Sequence, residues 1–280
     1  MVRWRPVTEA DREAAERFLR ERERHCVTLC SRFRAPLRRD RLWAFSGRKL
    51  RDLRALLLFH NYTLFPALVP GASAGSLPGS LGRLLWRFPL HALHGPLPDA
   101  ESFAAALEGL GLRVRDEYNY DLLSLDGPPA PGSLLLGPSG LTIGRPGLEH
   151  LEELFRLQAA YELEEVLPRG ASFNAPASRL NLQRILAEEF LLAAWLDGKM
   201  VGKINTNAES FTRHQIGGVY VLPEYRGRGI AGRLTAELAA AVQARGRGLS
   251  LFVKKWNAAA RAVYFRVGFA QDGDYRISYY

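Results

Sequence analysis

The hydrophobic positions of this chain change their spacing along the sequence, and these changes predict alternating strands and helices. In the C-terminal half, strand-forming runs give way to stretches in which apolar residues recur every three or four positions. The predicted order is strand, helix, helix, three strands, helix, strand, helix and strand. These elements are predicted at 141–143, 148–166, after Pro176, 190–196, 200–207, 215–221, from Ile230, 249–253, 257–267 and up to Tyr279.

The N-terminal half follows a similar order with weaker patterns. Strands are predicted at 2–6, 42–45, 53–59, 62–69 and 112–125, and helices after Thr8 and at 22–33, 81–88 and 99–110. The segment GPPAPGS at 127–133 is stiff and poor in hydrogen bonds, as is typical of domain linkers. The sequence therefore predicts an α/β (α+β) protein with a first domain at 1–127, a linker at 128–139 and a second domain at 140–280.

Composition and charge narrow the class of protein only slightly. The chain has 280 residues and a net charge of +9, carried almost entirely by scattered arginines. A basic balance suits nucleic acid or a polyphosphate ligand, but interleaved aromatics of the base-stacking kind are not evident, which argues against nucleic acid. No apolar run approaches the roughly 20 residues of a membrane span, and the first residues lack a hydrophobic signal segment. We therefore expect a cytoplasmic protein without a membrane partner.

The two cysteines of the chain, Cys26 and Cys30, lie four residues apart on a predicted helix. Together with His25 they supply at most half of a metal site, or alternatively a redox pair. No further cysteine and no nearby second histidine completes a ligand set. The sequence favours two reduced thiols on a helix face, and no metal is expected.

The most informative stretch is QIGGVYVLPEYRGRGIA at 215–231. Its first half predicts a strand with a bulge at Gly217-Gly218, and Pro223 ends that strand. A glycine-rich turn then leads into a helix whose apolar stripe begins at Ile230. A tight turn at a helix N-terminus presents outward-facing N–H groups and the positive end of the helix dipole. This arrangement predicts an anion site.

The sequence of this stretch resembles the acyl-CoA pyrophosphate loop of the GNAT superfamily of N-acetyltransferases. The likeness lies in Arg226-x-x-Gly229-x-Ala231 after the strand end VYVLPEY. A second pattern, Asn257…Tyr264…Gly268-Phe269, has the spacing and order of the same family. The order of elements predicted over 140–280 is also that of the family. A Walker loop and a Rossmann fingerprint both differ from this stretch in their glycine spacing or in the residues that follow.

The resemblance implies an acetyl-CoA-dependent N-acyltransferase that passes an acetyl group to the primary amine of an acceptor. Tyr264 is the implied general acid, and Glu164 and Glu165 are the candidate general bases. His214, Gln215 and an ordered water chain remain alternatives for the base. The implied cofactor-binding residues are Val219, Tyr220, Val221, Arg226, Gly227, Arg228, Gly229, Ile230, Ala231 and Asn257.

Further contacts are implied around this core of the site. The N–H group of Val219 is the candidate partner of the thioester oxygen. Asn205 and Asn207 are candidate contacts for the acceptor, whereas Glu224 is interpreted as a cap of the turn. Additional side-chain charge is expected from Arg228 and Arg233, and either Lys254 or Lys255 is a candidate contact for the nucleotide end of the donor.

The first half of the chain resembles a degenerate copy of the second. Matching Gly111-Leu112 to Gly268-Phe269 places Leu107 where Tyr264 stands, and no R-x-x-G-x-A pattern occurs at 71–83. The whole chain thus resembles the tandem-GNAT acyltransferases, in which each domain is a mixed, mostly antiparallel sheet flanked by helices. The first domain is expected to be non-catalytic, and a homodimer is compatible with the sequence. The alternative function is a non-catalytic acyl-CoA-binding protein that regulates or holds a partner.

Overall fold

The structure is a computed structural model, and it describes residues 3–34, 42–46, 52–73, 75 and 77–280. The chain divides into two compact units. The N-terminal unit contains residues 1–122 together with 272–280, and the C-terminal unit contains residues 123–271. None of the helices in the described residues is both long enough and apolar enough to cross a membrane.

The N-terminal unit begins with a strand, and its first helix follows a capping box at Thr8 and Asp11, as the sequence predicts. Its helices are α1 (Arg12–Arg20), α2 (Val27–Arg34), α3 (Gly79–Arg87) and α4 (Leu97–Glu108). Its strands are β1 (Arg3–Pro6), β2 (Leu42–Ser46), β3 (Ala55–His60), β4 (Thr63–Leu68) and β5 (Ala92–Pro96). Strand β6 (Asp116–Leu125) begins in this unit and ends in the other.

The C-terminal unit repeats the same order of elements. Its strands are β7 (Leu141–Gly144), β8 (Leu191–Leu196), β9 (Lys199–Glu209), β10 (Arg213–Val221) and β11 (Gly248–Lys254), and β12 (Ala270–Tyr279) starts in it. Its helices are α5 (Leu151–Tyr161), α6 (Ala175–Glu188), α7 (Ile230–Gln243) and α8 (Ala258–Val267). Helix α5 continues as a π-helical turn at Glu162–Val166.

Each unit contains a parallel strand pair beside a run of antiparallel strands. In the C-terminal unit β7, β8, β9 and β10 are antiparallel, and β10 pairs with β11 in parallel. In the N-terminal unit β1 to β4 are antiparallel, β4 pairs with β5 in parallel, and Tyr275–Tyr279 pair antiparallel with β5. This architecture confirms the predicted fold class.

Two apolar layers cover the sheet of the C-terminal unit. One layer packs α7 and α8 on the sheet, and its residues include Leu234, Leu238 and Val242. The other packs α5 and α6 on the opposite face, where Tyr220 is part of the cluster. Successive strand residues face opposite sides. Val221, the neighbour of Tyr220, therefore belongs to the α7 layer.

The limits of the two units differ from the predicted domain boundaries. Residues 123–139 belong to the C-terminal unit, where the predicted linker forms a 3-10 turn at Ser133–Leu135. Leu136 packs on α7, because a Cβ added at Gly232 would lie 2.7 Å from Leu136 Cδ1. Residues 272–280 belong to the N-terminal unit, because their strand is paired with β5.

Some predicted elements differ in position from the observed ones. Strand β5 is absent from the predictions, because three prolines and a glycine within 89–98 are typical of a loop. Strand β6 begins at Asp116 instead of residue 112. Asn61 and Tyr62 have φ angles of 47° and 60°, which make the hairpin turn before β4. Val2 of the predicted first strand, and positions 74 and 76 of the stretch compared with the phosphate loop, lie outside the described residues.

Candidate active site

Strands β10 and β11 separate after Gln215, the third of the nine residues of β10. They pair at Arg213–Gln215 with Gly248–Ser250, and no further pairing between these two fully described strands occurs. Strand β10 stays paired with β9, and the Leu222 N–H donates to the Val201 carbonyl at 2.9 Å. Because N–H groups alternate in direction along an antiparallel strand, those of Val219 and Val221 point away from β9 and into the opening.

Two glycines shape the bulge at the head of this opening. The register of β10 against β9 shifts on both sides of Ile216. A Cβ at Gly217 would lie 2.3 Å from Asn207 Cγ, and a Cβ at Gly218 would lie 3.0 Å from Asn205 Oδ1. A side chain at Gly217 would collide with Asn207 of β9, and one at Gly218 would be crowded by Asn205, so glycine suits the close approach of the two strands. The bulge predicted from the sequence is therefore present, and β9 side chains pack against it.

The glycine-rich loop ends on the first turn of α7. Gly227 and Gly229 have φ angles of 76° and 82°, a left-handed conformation that favours glycine. The first intrahelical bond runs from the Arg233 N–H to the Gly229 carbonyl at 3.0 Å. The N–H groups of residues 230–232 precede that bond and stand at the positive end of the helix dipole. The loop therefore has the form of an anion-binding turn.

Arg226 connects the loop to the π-helical turn. Its Nε donates to the Val221 carbonyl at 3.0 Å, and its Nη2 donates to Glu164 Oε2 at 2.8 Å. The Tyr220 hydroxyl donates to the same carboxylate oxygen at 3.2 Å. The hydrogen bond from Arg226 holds the pKa of Glu164 below its ordinary value. Arg226 thus holds the end of β10 and orients Glu164. The sequence did not indicate the contact between Arg226 and Glu164.

Glu165 connects the same turn to α8. Its Oε1 accepts a hydrogen bond from Asn257 Nδ2 at 3.2 Å, and its Oε2 lies 3.4 Å from Lys254 Nζ. Asn257 Oδ1 accepts from the Ala260 N–H at 3.0 Å and so caps α8, as predicted. Lys254, which the sequence assigned to the donor, is buried and paired with Glu165.

Tyr264 lies on the buried face of α8. Its ring packs edge-to-face on Phe269, with the ring centroids 5.9 Å apart. Burial raises the pKa of Tyr264 well above its ordinary value, and the carboxylate of Glu165 raises it further. The phenol therefore stays protonated through the neutral range. Gly268 closes the helix with a φ of 108°, as the sequence predicts.

The alternative bases lie in the paired part of β10, before the opening begins. His214 is buried, and this burial lowers the pKa of its imidazole. Gln215 Nε2 donates to Asn207 Oδ1 at 2.9 Å, so both amides are engaged within the sheet. Asn205 is also buried and bonded within β9. The structure therefore brings the two glutamates of the π-helical turn, and not these side chains, together with Arg226 and Asn257.

The remaining cations near the loop have local partners. Arg228 is exposed, and its Nη2 donates to the Glu224 carbonyl at 3.3 Å. Arg233 Nε donates to Glu237 Oε1 at 2.8 Å, one turn further along α7. Both side chains lie close to the helix N-terminus, and both are long enough to turn toward an anion bound there.

Sequence reasoning missed one ionisable residue at this site, Lys203. It lies on β9 with its side chain fully buried, and its Nζ donates to Asn205 Oδ1 at 2.7 Å. The segment KINTN at 203–207 carries the signal, because its polar residues alternate along a strand otherwise rich in apolar residues. Such a pattern on a central strand places a lysine and two asparagines on one buried face.

The cysteines belong to the N-terminal unit. Cys26 and Cys30 are both buried and free, with their sulfur atoms 3.6 Å apart. The Cys26 thiol donates to the Arg22 carbonyl at 3.1 Å. Among the described residues, no group of three or more histidine, cysteine, aspartate or glutamate side chains is placed to hold a metal ion.

The parted parallel strand pair and the glycine loop on the N-terminus of α7 lie within one α/β domain. A protein-family model described as the acetyltransferase (GNAT) family matches residues 149–269. These residues therefore form a domain of the GNAT acetyltransferase family, and the resemblance seen in the sequence is confirmed. The opening, the loop, the π-helical turn and Tyr264 all lie within the matched residues.

Solved structures extend the likeness in fold to nearly the whole chain. A GCN5-related N-acetyltransferase from Sphaerobacter thermophilus is 21% identical, with a TM-score of 0.60, and the match covers 100% of this chain and 95% of that one. A GCN5-related N-acetyltransferase from Kribbella flavida is 17% identical, with a TM-score of 0.57 and coverage of 98% and 96%. A tandem GNAT protein from the clavulanic acid biosynthesis pathway is 15% identical, with a TM-score of 0.55 and coverage of 100% and 98%. No curated protein matches the sequence.

Proposed function

We propose that the protein is an acetyl-CoA-dependent N-acyltransferase whose C-terminal unit transfers an acetyl group to a primary amine. The observation that carries this proposal is the opening between β10 and β11, with the glycine loop at its end. The GNAT family domain implies acyl transfer, and its fold generally binds acetyl-CoA. The proposal keeps the cytoplasmic location expected from the sequence.

The donor is held mainly by backbone groups in this proposal. The N–H groups of residues 230–232 take the pyrophosphate, because they face outward at the positive end of α7. The pantetheine arm adds to the open edge of β10, and the Val221 N–H pairs with one of its amides. The Val219 N–H then takes the thioester oxygen, on which negative charge develops during attack. Holding the two reactants in this geometry is the largest expected contribution to the rate.

Tyr264 is the proposed general acid for the leaving thiolate. A group that donates a proton must still carry it at the working pH. The raised pKa of Tyr264 meets that requirement through the neutral range. Tyr264 lies on α8 about two turns after Asn257, which caps this helix. Asn257 also donates a hydrogen bond to Glu165, so one helix positions both groups.

Glu165 is the proposed acceptor of the proton that the attacking amine must lose. It is held by Asn257 and Lys254, and its carboxylate is close enough to Tyr264 to raise the pKa of that phenol. Glu164 is the second candidate. Its lowered pKa makes it a weaker base, because proton acceptance follows Brønsted behaviour. We therefore place Glu165 ahead of Glu164, with a bridging water as the link to the amine.

The first experiment is isothermal titration of acetyl-CoA into the purified full chain, followed by a thiol-release assay with a panel of primary amines. We expect one binding site in the micromolar range and release of free coenzyme A with at least one amine. Binding without turnover of any amine would favour the alternative, a non-catalytic acyl-CoA-binding protein.

Two other outcomes bear on separate parts of the proposal. Absence of binding would contradict the acyltransferase proposal itself. Binding at two sites would contradict the non-catalytic role expected for the N-terminal unit while leaving the C-terminal unit as the proposed enzyme. Titration of coenzyme A in place of acetyl-CoA serves as the control for recognition of the acyl group.

A further inference from the structure

A buried lysine lies directly beneath the bulge of β10. Lys203 is the register partner of Tyr220, and its side chain is fully buried. Its Nζ donates to Asn205 Oδ1 at 2.7 Å. A Cβ added at Gly218 would lie 3.2 Å from Lys203 Nζ. The amine therefore fills the space that a side chain at position 218 would occupy. Gly218 directly precedes Val219 in the chain.

The groups around this amine also hold the bulge. Asn205 Nδ2 donates to the Thr206 carbonyl at 2.9 Å, and this bond turns Asn205 Oδ1 toward Lys203. The Tyr161 hydroxyl donates to the Gly217 carbonyl at 2.6 Å, and the Tyr161 ring centroid lies 5.1 Å from Lys203 Nζ. A buried polar network whose members are bonded to one another is rigid. The lysine and the bulge are therefore parts of one assembly.

We propose that Lys203 is a positioning residue for acyl transfer, which fixes the bulge of β10 and places a positive charge behind the Val219 amide. The inference rests on the proposed function, because it requires a thioester oxygen at that amide. A positive charge stabilises the negative charge that develops on this oxygen. Such interactions are strong in a site from which water is excluded. The lysine acts through the backbone and does not touch the acceptor.

The ionisable groups that face Lys203 come from three elements. Tyr161 and Glu162 face it from α5 and the π-helical turn, and Tyr220 faces it from β10. Its register partner on β8 is Ala193, which carries no charge. The carboxylate of Glu162 raises the pKa of the lysine, but burial has the larger effect and lowers it to about 7. Both forms of the amine are therefore present near neutral pH.

Glu162 is itself held in place by two neutral groups. Its Oε1 accepts from Gln158 Nε2 at 2.6 Å and from Ser178 Oγ at 3.0 Å. These bonds fix the carboxylate between α5 and α6, so its influence on the amine does not depend on a mobile side chain. With this carboxylate fixed, the charge on Lys203 depends on pH.

The first test is the pH dependence of Lys203→Met, which removes the charge and keeps the length of the side chain. At pH 6, where the lysine is protonated, we expect kcat to fall about 30-fold and KM for acetyl-CoA to change less than about threefold. At pH 8.5 the ratio of wild-type to variant kcat should fall to about threefold or less. Lys199→Met is the matched control, because Lys199 begins the same strand and is exposed, and it should change kcat less than about twofold.

The ratio of the two kcat values cancels the titration of the acceptor amine, which is the same for both proteins. A ratio that stays constant while the lysine loses its proton, as followed in the second test, would assign Lys203 a purely structural role and overturn the proposal. A ratio that increases with pH would make the neutral amine the active form and would also overturn it. Thermal denaturation of Lys203→Met checks that the variant is folded.

The second test needs no variant. The sequence contains lysine only at positions 49, 199, 203, 254 and 255, so NMR of protein labelled at lysine 13Cε gives few resonances to follow. One resonance should titrate with a midpoint near pH 7, and its midpoint should rise more with acetyl-CoA bound than with coenzyme A bound. A midpoint that rises no more with acetyl-CoA bound than with coenzyme A bound would overturn the proposal.

These results separate the two levels of inference. A wild-type protein that neither binds nor turns over acetyl-CoA would contradict the proposed function and this inference together. A wild-type protein that acetylates an amine with an unchanging kcat ratio would contradict this inference alone.

Discussion

Each unit contains a parallel strand pair that separates into an opening, and the two openings are lined by different backbone groups. In the N-terminal unit β4 and β5 pair at Thr63–Leu64 with Ala92–Leu93 and then part, just as β10 and β11 part after Gln215. The openings differ in the backbone groups that face them. At β10 the N–H groups of Val219 and Val221 point into the opening, where an amide-bearing ligand can pair with them.

At β4 the corresponding backbone N–H groups are either absent or already hydrogen-bonded. The Val69 N–H donates to the Arg54 carbonyl on the β3 side at 2.9 Å. Because N–H directions alternate along the strand, the N–H groups of the even-numbered residues before Val69 point toward the opening. Pro66 has no N–H to offer. The Leu68 N–H donates to Asp99 Oδ2 at 2.9 Å.

The proline ring also fills part of the gap. A Cβ at Gly95 of β5 would lie 2.9 Å from Pro66 Cγ, so the ring sits against the opposite strand. The comparison teaches that the order of elements produces the opening, whereas the residues at its edge decide which backbone N–H groups face it. The four predictions that follow test this difference, from the largest expected effect to the smallest.

Gly229→Trp should abolish the binding of acetyl-CoA, with Kd rising at least about 1,000-fold, because several charge-assisted bonds to the pyrophosphate are lost. A Cβ at Gly229 would lie 2.9 Å from the Gly137 nitrogen, and its φ of 82° disfavours any side chain. The measurement is isothermal titration. Gly71→Trp is the control, because Gly71 also has a positive φ but has open space around it. Equal losses in the two variants would mean that the effect comes from general strain.

Tyr264→Phe should lower kcat by about 100-fold and leave the Kd for acetyl-CoA nearly unchanged, because a general acid contributes in the transition state. The wild-type pH profile should show no loss from deprotonation of this phenol up to about pH 10, since its pKa is raised. The control is Tyr275→Phe, since Tyr275 is a buried tyrosine of the N-terminal unit with a raised pKa. A matching loss in that variant would contradict the division of roles between the units.

Asp99→Asn should stabilise the protein at pH 7 by up to about 2 kcal/mol, with a difference near zero at pH 4. Burial raises the pKa of Asp99 to about 6 in the folded state. Because the unfolded value is about 4, the folded state binds the proton more tightly, and wild-type stability falls as pH rises between these values. Chemical denaturation at pH 4, 5.5 and 7 measures the difference.

The control for this prediction has the opposite sign. Hydrogen bonding to Arg5 lowers the pKa of Asp11 to about 2, so its contribution is present above about pH 4 and is lost as pH falls below that value. Asp11→Asn should therefore destabilise the protein at pH 7, and the difference should shrink under acid conditions. A stability difference for Asp99→Asn that does not vary with pH would show that Asp99 is charged throughout.

Glu165→Gln should lower kcat about tenfold, whereas Glu164→Gln should change it less than about threefold. Glu165 is held against Asn257, and the amide of glutamine cannot accept a proton. The Glu164 pair with Arg226 is half-exposed, and pairs of this kind contribute little. Steady-state rates at saturating donor decide between them. The reverse order of effects would move the proposed base to Glu164.

The parts of the fold that the sequence predicted are the locally determined ones. The Asn257 cap, the left-handed Gly268 and the bulge at Gly217-Gly218 each depend on residues close in sequence. Contacts between distant residues were not predictable in this way. Glu164 and Arg226 meet although they are far apart in the chain, because the π-helical turn brings the glutamate over the loop.

The site followed the same division. The loop at 226–231 and Tyr264 were predicted as site residues from their motifs, since glycines and a helix cap leave a recognisable spacing. Lys203 was missed because its proposed role depends on being buried under a bulge of another strand. Strand β5 was missed because prolines mask a short parallel strand whose stability comes from its neighbours.

The last strand has a consequence for the order in which the chain can fold during synthesis. Residues 275–279 complete the N-terminal sheet at β5, yet the ribosome makes them only after the whole C-terminal unit. Until then β5 has an open edge that can pair with the wrong chain. A fragment of residues 1–122 should therefore aggregate when it is produced alone, and a synthetic peptide of residues 272–280 should rescue its solubility. We therefore expect the N-terminal unit to complete its sheet last, although it is translated first.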